Sequence, residues 1–386
     1  RIPAPKGDPA AKPAAKRGVY ENLEEIAALI NKAHRPMIYF GGGVRLSGAG
    51  DILRKIIDRA DIPAAHTMMA VGILGQDEVR DLGMIGMHGS YAANRAASEA
   101  DIILAVGTRF SDRVALNPRE FGAQGRIIHI DIDASEVDKN VKSYTSVIGD
   151  AKDILEQLLP LLQPAVHPVW DESVAEWKKK DYTPEESADR ILPHQVIRMI
   201  CEKGGPDSYI VTDVGQHQMW AAQYVRGIGP GHFLSSGGLG TMGYGYGAAI
   251  GCAIGVKGAG PVFHITSDGS FHMNMNEACT AVSYNVPVIT VIMNNEVLGM
   301  VRQWQTVFYK KHYMATAPER KTDYVRVAEG FGAKGFRCDT IEEFEAALDE
   351  ALRSEGPVWI ECRIDRDERV LPMIPAGGTV DDIMLD

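Results

Sequence analysis

The sequence is short of cysteine, of long apolar runs and of positive charge. Its 386 residues include five cysteines, an odd number with no Cys-x-x-Cys pair, so we expect free, mostly buried thiols rather than a disulfide framework. Free thiols are typical of a reducing compartment, which predicts a cytoplasmic protein. No apolar run approaches the ~20 residues of a membrane-spanning helix, so we expect no membrane partner.

Charge and composition narrow the class of protein further. The chain has 40 basic against 51 acidic residues, so no general positive field offsets the repulsion of nucleic-acid phosphates, and we expect no nucleic-acid partner. Apolar residues make up 45% and charged residues 24%, which is ordinary for a globular enzyme. The length suits two or three domains, and the 40 glycines indicate tight turns beside ligands.

The pattern of apolar segments predicts an α/β fold with two doubly wound parallel-sheet domains. Short apolar strands alternate with helical segments in both halves of the chain. The strands are expected at residues 36–40, 102–106, 127–132, 209–212, 262–266, 288–293 and 358–363. The predicted organisation is a Pro-rich tether at 1–19, a first domain at 20–163, a linker at 164–190 and a second domain at 191–386.

The most informative pattern lies in the second half of the chain. A strand runs into Asp268, and after a helix-length gap of 27 positions another strand runs into Asn295. That spacing suits one strand–helix–strand unit, which would place both side chains at the same carboxyl edge of a parallel sheet. A carboxylate and an amide oxygen suit Mg²⁺, Gly269 permits close approach of a ligand, and Ser270 can open a helix whose N-terminus favours phosphate. A magnesium-bound diphosphate is the favoured interpretation, and a turn with two capping residues is the alternative.

Two further glycine-containing stretches belong to the same predicted edge. Gly215, Gln216 and His217 follow the first strand of the second domain, and Gly240 and Met242 lie in a glycine-rich turn before a helix. Both stretches are expected at strand carboxyl ends, where α/β sheets bind ligands. Taken singly, a buried histidine and a core methionine are the better explanations of His217 and Met242.

Glycines and arginines also recur after the predicted strands of the first domain. A glycine triplet begins at Gly41, and Gly107-Thr108-Arg109 with Arg113 follows a later strand. Arginines and glycines at successive strand ends suit a dinucleotide, with acidic residues such as Asp131 for its ribose hydroxyls. A plain turn would be the better explanation of the glycine triplet alone.

These strings resemble a known family. The residues around Asp268 and Asn295 resemble the thiamin-diphosphate motif, usually Gly-Asp-Gly followed by Asn-Asn, with Ser267 here in place of the first glycine. The string from Gly299 to Gln305, Gly-Met-Val-Arg-Gln-Trp-Gln, is the most specific part. Together they resemble the large catalytic subunit of acetohydroxyacid synthase (acetolactate synthase) over essentially the whole chain.

The resemblance implies thiamin diphosphate and Mg²⁺ in the second domain. Asp268, Asn295 and the backbone carbonyl of Val297 would hold the metal. Met242 would be the wedge that bends the cofactor, and Trp304 would narrow the acceptor pocket, although a core tryptophan is the alternative. The implied cofactor contacts are Gly215, Gln216, His217, Gly240, Met242, Asp268, Gly269, Ser270, Asn295, Val297, Gly299 and Met300.

The resemblance also implies FAD in the first, central domain. Family chemistry involves no net oxidation, so this flavin would be structural. Ser111 departs from the usual Arg-Phe-Asp-Asp-Arg string of the family. The implied FAD contacts are Gly41, Gly42, Thr67, Met68, Gly86, Met87, His88, Gly107, Arg109, Arg113, Asp131, Ile132, Asp150 and Ala151.

The implied activity is decarboxylation of pyruvate and ligation of the product to pyruvate or 2-ketobutyrate, in valine, leucine and isoleucine biosynthesis. A homo-oligomer, dimer or tetramer, and a regulatory small subunit are the implied partners. The family's pyrimidine-binding domain, with its acid–base glutamate, matches no part of the chain, so we expect a portion of a longer protein that is catalytically incomplete alone. The alternatives are a related flavin and thiamin enzyme, of the glyoxylate carboligase or pyruvate oxidase type, and an inactive cofactor-binding remnant.

Overall fold

The computed structural model describes residues 18–75 and 80–385, so most of the predicted tether lies outside the described residues. Within them, the strands form two six-stranded sheets in which all neighbours are parallel. Helices cover both faces of each sheet, as parallel sheets require. The predicted fold class, α/β with two parallel-sheet units, is confirmed.

The first sheet has the strand order β3-β2-β1-β4-β5-β6. Its strands are β1 (Pro36–Phe40), β2 (Ala64–His66), β3 (Asp81–Met84), β4 (Ile102–Val106), β5 (Arg126–Asp131) and β6 (Thr145–Ile148). The helices of this unit are α1 (Leu23–Asn31), α2 (Gly42–Ser47), α3 (Gly50–Ala60), α4 (Tyr91–Glu99), α5 (Ala151–Leu158) and α6 (Pro168–Lys178). Short 3₁₀ turns lie at Met68–Ala70, Ala134–Glu136 and Leu159–Leu161.

Strand β1 shows why this sheet is buried on both sides. All five of its residues are buried, and successive side chains point to opposite faces. Ile38 and Phe40 pack in the core beneath α1, α3 and α5, whereas Met37 and Tyr39 pack in the core beneath α4 and α6. A continuous apolar run therefore specifies the central position of the strand.

The second sheet has the order β11-β12-β10-β9-β7-β8. Its strands are β7 (Tyr209–Thr212), β8 (Phe233–Leu234), β9 (Val262–Ser267), β10 (Val288–Asn294), β11 (Lys334–Cys338) and β12 (Val358–Arg363). Its helices are α7 (Pro193–Gly204), α8 (Gln216–Tyr224), α9 (Tyr244–Val256), α10 (Asp268–Asn274), α11 (Ala278–Ser283), α12 (Gly299–Phe308), α13 (Tyr324–Phe331) and α14 (Ile341–Leu352), with 3₁₀ turns at Met275–Glu277 and Val380–Asp382.

The strand–helix–strand unit expected from the spacing is present. Strands β9 and β10 are parallel neighbours with Ser267 opposite Met293, so Asp268 and Asn295 both follow the carboxyl ends of adjacent strands. Helix α10 begins at Asp268 rather than at the predicted Ser270, because the Ser267 side chain accepts the N–H of Ser270 and caps the helix two residues earlier.

The segment predicted as a linker contains helix α6. Pro168 occupies the first turn of that helix, where proline costs no hydrogen bond, so the proline did not mark irregular chain. Trp170 and Val174 are buried in the core of the first unit, and the Trp170 indole N–H donates to the Pro36 carbonyl at 3.0 Å. Part of the segment 164–190 therefore packs onto the first unit.

The C-terminal tail connects the two units. The N–H of Ile374 donates to the carbonyl of Met87 at 2.8 Å, and His88 Nδ1 lies 3.1 Å from the Pro372 carbonyl oxygen. The Gln223 amide, at the end of α8, donates to the carbonyls of both His88 and Leu371. Residues at the end of β3 are thereby held against the second unit.

The cysteines and the apolar helices can be compared with what the composition led us to expect. All five cysteines are free thiols, but only Cys338 and Cys362 are buried, so the expectation of mostly buried thiols was wrong. In residues 18–75 and 80–385, no helix combines the length and the apolar character that crossing a membrane demands.

Candidate active site

The carboxyl ends of β7, β9 and β10 open into one cavity. Nine of the predicted cofactor residues line it: Gly215, Gln216, His217, Met242, Gly269, Asn295, Val297, Gly299 and Met300. Asp268 and Ser270 are buried at the start of α10, next to the lining residue Gly269. The structure thus brings together residues from four stretches separated by up to 85 positions, from 215 to 300.

The Asp268 carboxylate has one satisfied and one unsatisfied oxygen. Its Oδ2 accepts a hydrogen bond from Arg320 Nη1 at 2.7 Å, whereas its buried Oδ1 has no partner among the described residues. Burial raises the pKa of Asp268, and the nearby Arg320 charge opposes that rise. A buried carboxylate oxygen without a donor fits a metal ligand, since an unpaired buried oxygen is otherwise costly.

The rest of the predicted metal set is consistent with a site completed by the ligand. Asn295 Oδ1 accepts the N–H of Val297 at 3.2 Å, which places the amide and the Val297 backbone together. In the described part of the chain, no three or more His, Cys, Asp or Glu side chains are grouped to hold a metal ion. A cation here would rely on one carboxylate, neutral oxygens and ligand phosphate, which is usual for Mg²⁺.

Two helices direct their N-termini at the cavity. Helix α8 begins after Gly215, whose φ of 153° suits glycine alone, and helix α12 begins at Gly299. The first N–H groups of a helix have no partner within the helix and carry the positive end of its dipole. Both helix starts therefore favour an anion such as a diphosphate.

His217 lies at the start of α8 with both ring nitrogens buried and without partners among the described residues. Burial lowers the pKa of His217 to about 4, although the Asp213 charge acts in the opposite direction. The imidazole is consequently neutral near pH 7 and can donate one N–H. A neutral donor that faces the cavity fits a phosphate oxygen. The amide of the neighbouring Gln216 is already engaged, because its Nε2 donates to Gln303 Oε1 at 3.0 Å and to the Glu368 carbonyl at 2.9 Å.

A buried network beneath the cavity was missed from the sequence. Asp213, at the end of β7, is 1% exposed and accepts the backbone N–H groups of Gly243 at 2.7 Å and Gly245 at 3.2 Å. Its other oxygen contacts His264 Nε2 and the Thr266 hydroxyl, each at 3.1 Å. Burial alone would raise the pKa of Asp213, but the hydrogen bond and charge of His264 hold it at about 2.

The Asp213 network fixes the turn that carries Met242. Met242 precedes Gly243, and its Cε would lie 3.6 Å from a Cβ built on Gly269, so the thioether projects across the cavity floor. Gly240 precedes this turn with a φ of 72°, outside the cavity lining. In the sequence, Asp213 follows one predicted strand and His264 lies within another, and neither position predicts the contact between them.

Trp304 lies on α12 but does not line the cavity. It packs against the small cluster of Met87, Leu371 and Met373, and its ring lies 4.9 Å from that of Phe308. The alternative of a packing tryptophan therefore has structural support, and the acceptor-pocket role stays a prediction. Its contacts nevertheless join the cavity-lining helix to the tail and to the first unit.

Replacing Gly299 with alanine should damage the cavity. A Cβ at this position would collide with Gln216 Oε1 and would lie 2.7 Å from Asn295 Nδ2. Overpacking of this kind typically costs about 1–3 kcal/mol, so we expect roughly 10-fold weaker binding of a diphosphate ligand with Mg²⁺. Isothermal titration calorimetry with inorganic diphosphate and Mg²⁺ measures the dissociation constant.

The matched control is Gly330→Ala on α13, where an added Cβ meets nothing within 4 Å. This substitution should leave the dissociation constant unchanged. Equal binding by the Gly299 and Gly330 variants would show that the contacts of Gly299 do not shape the site.

The residues predicted to contact a dinucleotide lie along one edge of the first sheet. They follow all six strands: Gly41 and Gly42 after β1, Thr67 and Met68 after β2, Gly86 to His88 after β3, Gly107, Arg109 and Arg113 after β4, Asp131 and Ile132 at the end of β5, and Asp150 and Ala151 after β6. Six parallel strands span about 24 Å, which suits an extended ligand. The strand order reverses its direction between β1 and β4. Parallel α/β sheets usually bind ligands in the crevice at such a reversal.

The glycines at that crevice have a packing role of their own. A Cβ at Gly41 would lie 2.5 Å from the Gly107 carbonyl oxygen, and a Cβ at Gly43 would lie 2.6 Å from the Gly107 Cα. The two strand ends are therefore in backbone contact. Helix α2 begins at Gly42, where a plain turn was the better explanation of the glycine triplet alone. Its six residues are too few to favour an anion strongly.

The charged residues of this edge differ in their exposure and in the contacts that they already make. Arg109 and Arg113 are exposed, and Arg113 pairs with Asp112 at 2.9 Å. Asp150 caps α5 by accepting the N–H groups of Lys152 and Asp153, which explains this aspartate without a ligand. The Ile132 side chain, 72% exposed, is an apolar surface beside the strand end.

Two family models match this chain, one over each parallel-sheet unit. The central domain of the thiamine pyrophosphate enzymes matches residues 23–158, and their C-terminal TPP binding domain matches residues 213–362. The class is thus that of the thiamine pyrophosphate enzymes, with a TPP-binding domain built on the second sheet. Within this class, the chain is similar over most of its length to acetolactate synthase large subunits.

Three relatives illustrate the similarity. The acetolactate synthase large subunit of Pyropia yezoensis is 38% identical over 91% of this chain and 60% of its own length. The probable acetolactate synthase large subunit of Methanocaldococcus jannaschii is 38% identical over 99% of this chain and 66% of its own. The mitochondrial acetolactate synthase catalytic subunit of Saccharomyces cerevisiae is 37% identical over 95% of this chain and 56% of its own. The chain therefore spans about 60% of the length of these curated relatives.

Proposed function

We propose that this protein is the catalytic chain, or a portion of it, of an acetolactate synthase. The reaction removes carbon dioxide from pyruvate and joins the remaining two-carbon unit to a second pyruvate or to 2-ketobutyrate, in branched-chain amino-acid biosynthesis. The observation that carries the proposal is the cavity at the ends of β7, β9 and β10, with the unsatisfied Asp268 oxygen beside it and two helix N-termini directed at it.

The proposed cofactors of this cavity are thiamin diphosphate and Mg²⁺. Thiamin diphosphate, when bound, supplies the electron sink for the decarboxylation. Asp268, Asn295 and the Val297 carbonyl would hold the metal, while His217 would donate a hydrogen bond to the diphosphate and Gln216 would lie beside it. Met242, held by the Asp213 network, would orient the cofactor, and the apolar lining would exclude water from the reacting centre.

We propose FAD as a structural cofactor at the edge of the first sheet. The glycine contacts at the β1–β4 crevice and the strand-end position of all fourteen expected residues support this assignment. The tail contacts to Met87 and His88 would connect the flavin site to the second unit. Burial lowers the pKa of His88 to about 4, so this side chain would face the flavin uncharged.

Exchange of Arg109 for alanine should weaken FAD retention. The change removes an exposed planar cation able to pair with phosphate, a charge-assisted contact typically worth about 1.5–3 kcal/mol, so retention should fall roughly 10-fold or more. Flavin absorbance after gel filtration measures retention. Arg54→Ala on α3, whose arginine pairs with Asp51, is the control and should stay as yellow as the wild type. Equal flavin content in all three proteins would exclude Arg109 as a contact.

Because FAD is proposed to bind at the edge of the first sheet, oxidation of pyruvate is the second candidate function. A structural flavin should remain oxidised when pyruvate is added without oxygen, whereas an oxidase would bleach it rapidly and stoichiometrically. The deciding experiment is product analysis with pyruvate alone, with pyruvate plus 2-ketobutyrate, and with glyoxylate. We expect acetolactate and acetohydroxybutyrate. Acetate with flavin bleaching, or tartronate semialdehyde from glyoxylate, would assign the protein to the oxidase or the carboligase type instead.

We further propose a cytoplasmic homo-oligomer that works with a regulatory small subunit. The names of the relatives, which speak of a large subunit and of a catalytic subunit, support a second kind of subunit. Helix α9 supports self-association, because its solvent-facing side carries Tyr244 and Ile254, 39% and 58% exposed, and lacks charged residues. Analytical ultracentrifugation of the full-length protein tests the oligomer.

A further inference from the structure

The cavity has little positive charge of its own. None of the described residues that line it is lysine or arginine, and His217 is neutral near pH 7 because burial lowers its pKa. A diphosphate together with the Asp268 carboxylate carries more negative charge than one Mg²⁺ neutralises. An additional cation near the diphosphate would therefore strengthen binding.

Arg320 is the cation that the structure places there. Its Nη1 donates to Asp268 Oδ2 at 2.7 Å, and its side chain is only 23% exposed. Its Nη2 would lie 4.0 Å from a Cβ built on Gly269, which lines the cavity. The guanidinium thus borders both the predicted metal ligand and the cavity floor.

The chain around Arg320 is anchored to the same helix. His272, on α10, contacts the Thr322 hydroxyl through Nε2 at 2.8 Å and the Asp268 carbonyl through Nδ1 at 2.7 Å. The Tyr324 hydroxyl lies 3.0 Å from His272 Nδ1. These contacts hold the backbone beyond Arg320 against the start of α10, so the position of the guanidinium follows from the fold.

We propose that Arg320 is a further cofactor-binding residue, which supplies positive charge to the diphosphate end of the cofactor. A guanidinium has five N–H groups in a planar fork, so the contact to Asp268 leaves donors for a phosphate oxygen. The inference rests on the proposed function, since it takes a diphosphate with Mg²⁺ as the ligand of this cavity. It adds a residue that the motifs around Asp268 and Asn295 did not indicate.

Replacing Arg320 with glutamine should weaken only the part of cofactor binding that comes from the diphosphate end. In the full-length protein at fixed Mg²⁺, we expect a roughly 10- to 100-fold higher dissociation constant for thiamin diphosphate, as for loss of one charge-assisted contact. The affinity for inorganic diphosphate with Mg²⁺ should fall by the same factor. Arg320→Lys should recover part of the affinity. Arg326→Gln, which removes an 85% exposed arginine from the neighbouring helix α13, is the control and should bind as the wild type does.

The outcomes separate the inference from the proposed function. Tighter binding by Arg320→Gln would overturn the inference, because Arg320 would then compete with the metal for Asp268. Unchanged affinity, or weaker binding of thiamin diphosphate with unchanged binding of inorganic diphosphate, would overturn it as well. A wild-type protein that binds no thiamin diphosphate would instead contradict the proposed function, and this inference with it.

Discussion

Replacing Asp268 with alanine should abolish the Mg²⁺-dependent binding of thiamin diphosphate. Asp268 is the only carboxylate among the three proposed metal ligands, and its buried Oδ1 has no partner among the described residues. A hard divalent cation with one charged protein ligand loses most of its affinity without that charge. We expect the dissociation constant to rise by at least about 100-fold, the effect of losing roughly 3 kcal/mol of binding free energy. Calorimetric titration with and without Mg²⁺ measures it.

A second aspartate-to-alanine substitution, away from the cavity, controls for the loss of one negative charge. Asp339, whose side chain is 58% exposed and pairs with Arg363, can be replaced by alanine in the same unit. That variant should bind the cofactor with wild-type affinity. Retained Mg²⁺-dependent binding by Asp268→Ala, with the protein still folded by circular dichroism, would remove Asp268 from the metal site.

Replacing Asp213 with asparagine should destabilise the second unit and loosen the site. An asparagine cannot accept from two backbone N–H groups, His264 and Thr266 as the carboxylate does, and it turns an NH₂ group toward at least one of these donors. Breaking a buried charged network of this kind costs about 3–5 kcal/mol. Chemical denaturation should show that loss, and thiamin diphosphate binding should weaken because the turn that carries Met242 is released.

The pH dependence of the same variant provides an independent check. The folded pKa of Asp213 is about 2, below the ordinary value of 3.8. A depressed carboxyl pKa means that its contribution to stability is fully present above about pH 4 and is lost as the pH falls toward 2. The stability difference between wild type and Asp213→Asn should therefore shrink over that range. A constant difference would mean that the Asp213 charge does not stabilise the fold.

The sequence predicted those features that depend on local pattern. Strands β1, β4, β7 and β12 were located correctly because each is a short apolar run between turn residues. The spacing from Asp268 to Asn295 predicted adjacent strand ends because one crossover helix joins them, and the structure shows that arrangement. Local pattern and topology were sufficient there.

Contacts between distant residues were not predictable in this way. Asp213 meets His264 across 51 positions, and Arg320 meets Asp268 across 52, and neither pair carries a periodic signal. Helix α6 was missed because its proline and charged residues also fit a connector, and only the burial of Trp170 against the first unit distinguishes the two. For Asp150, the family resemblance implied a ligand contact, whereas the structure shows a helix cap.

The most direct test of the proposed acetolactate synthase activity is reconstitution of the full-length protein after its cofactors have been removed by dialysis. Acetolactate formed from pyruvate is measured with FAD present, while thiamin diphosphate and Mg²⁺ are added separately and together. We expect acetolactate only when both are added, with no oxidation of pyruvate to acetate. No acetolactate with all cofactors present, or the same rate without thiamin diphosphate or without a divalent metal, would contradict it.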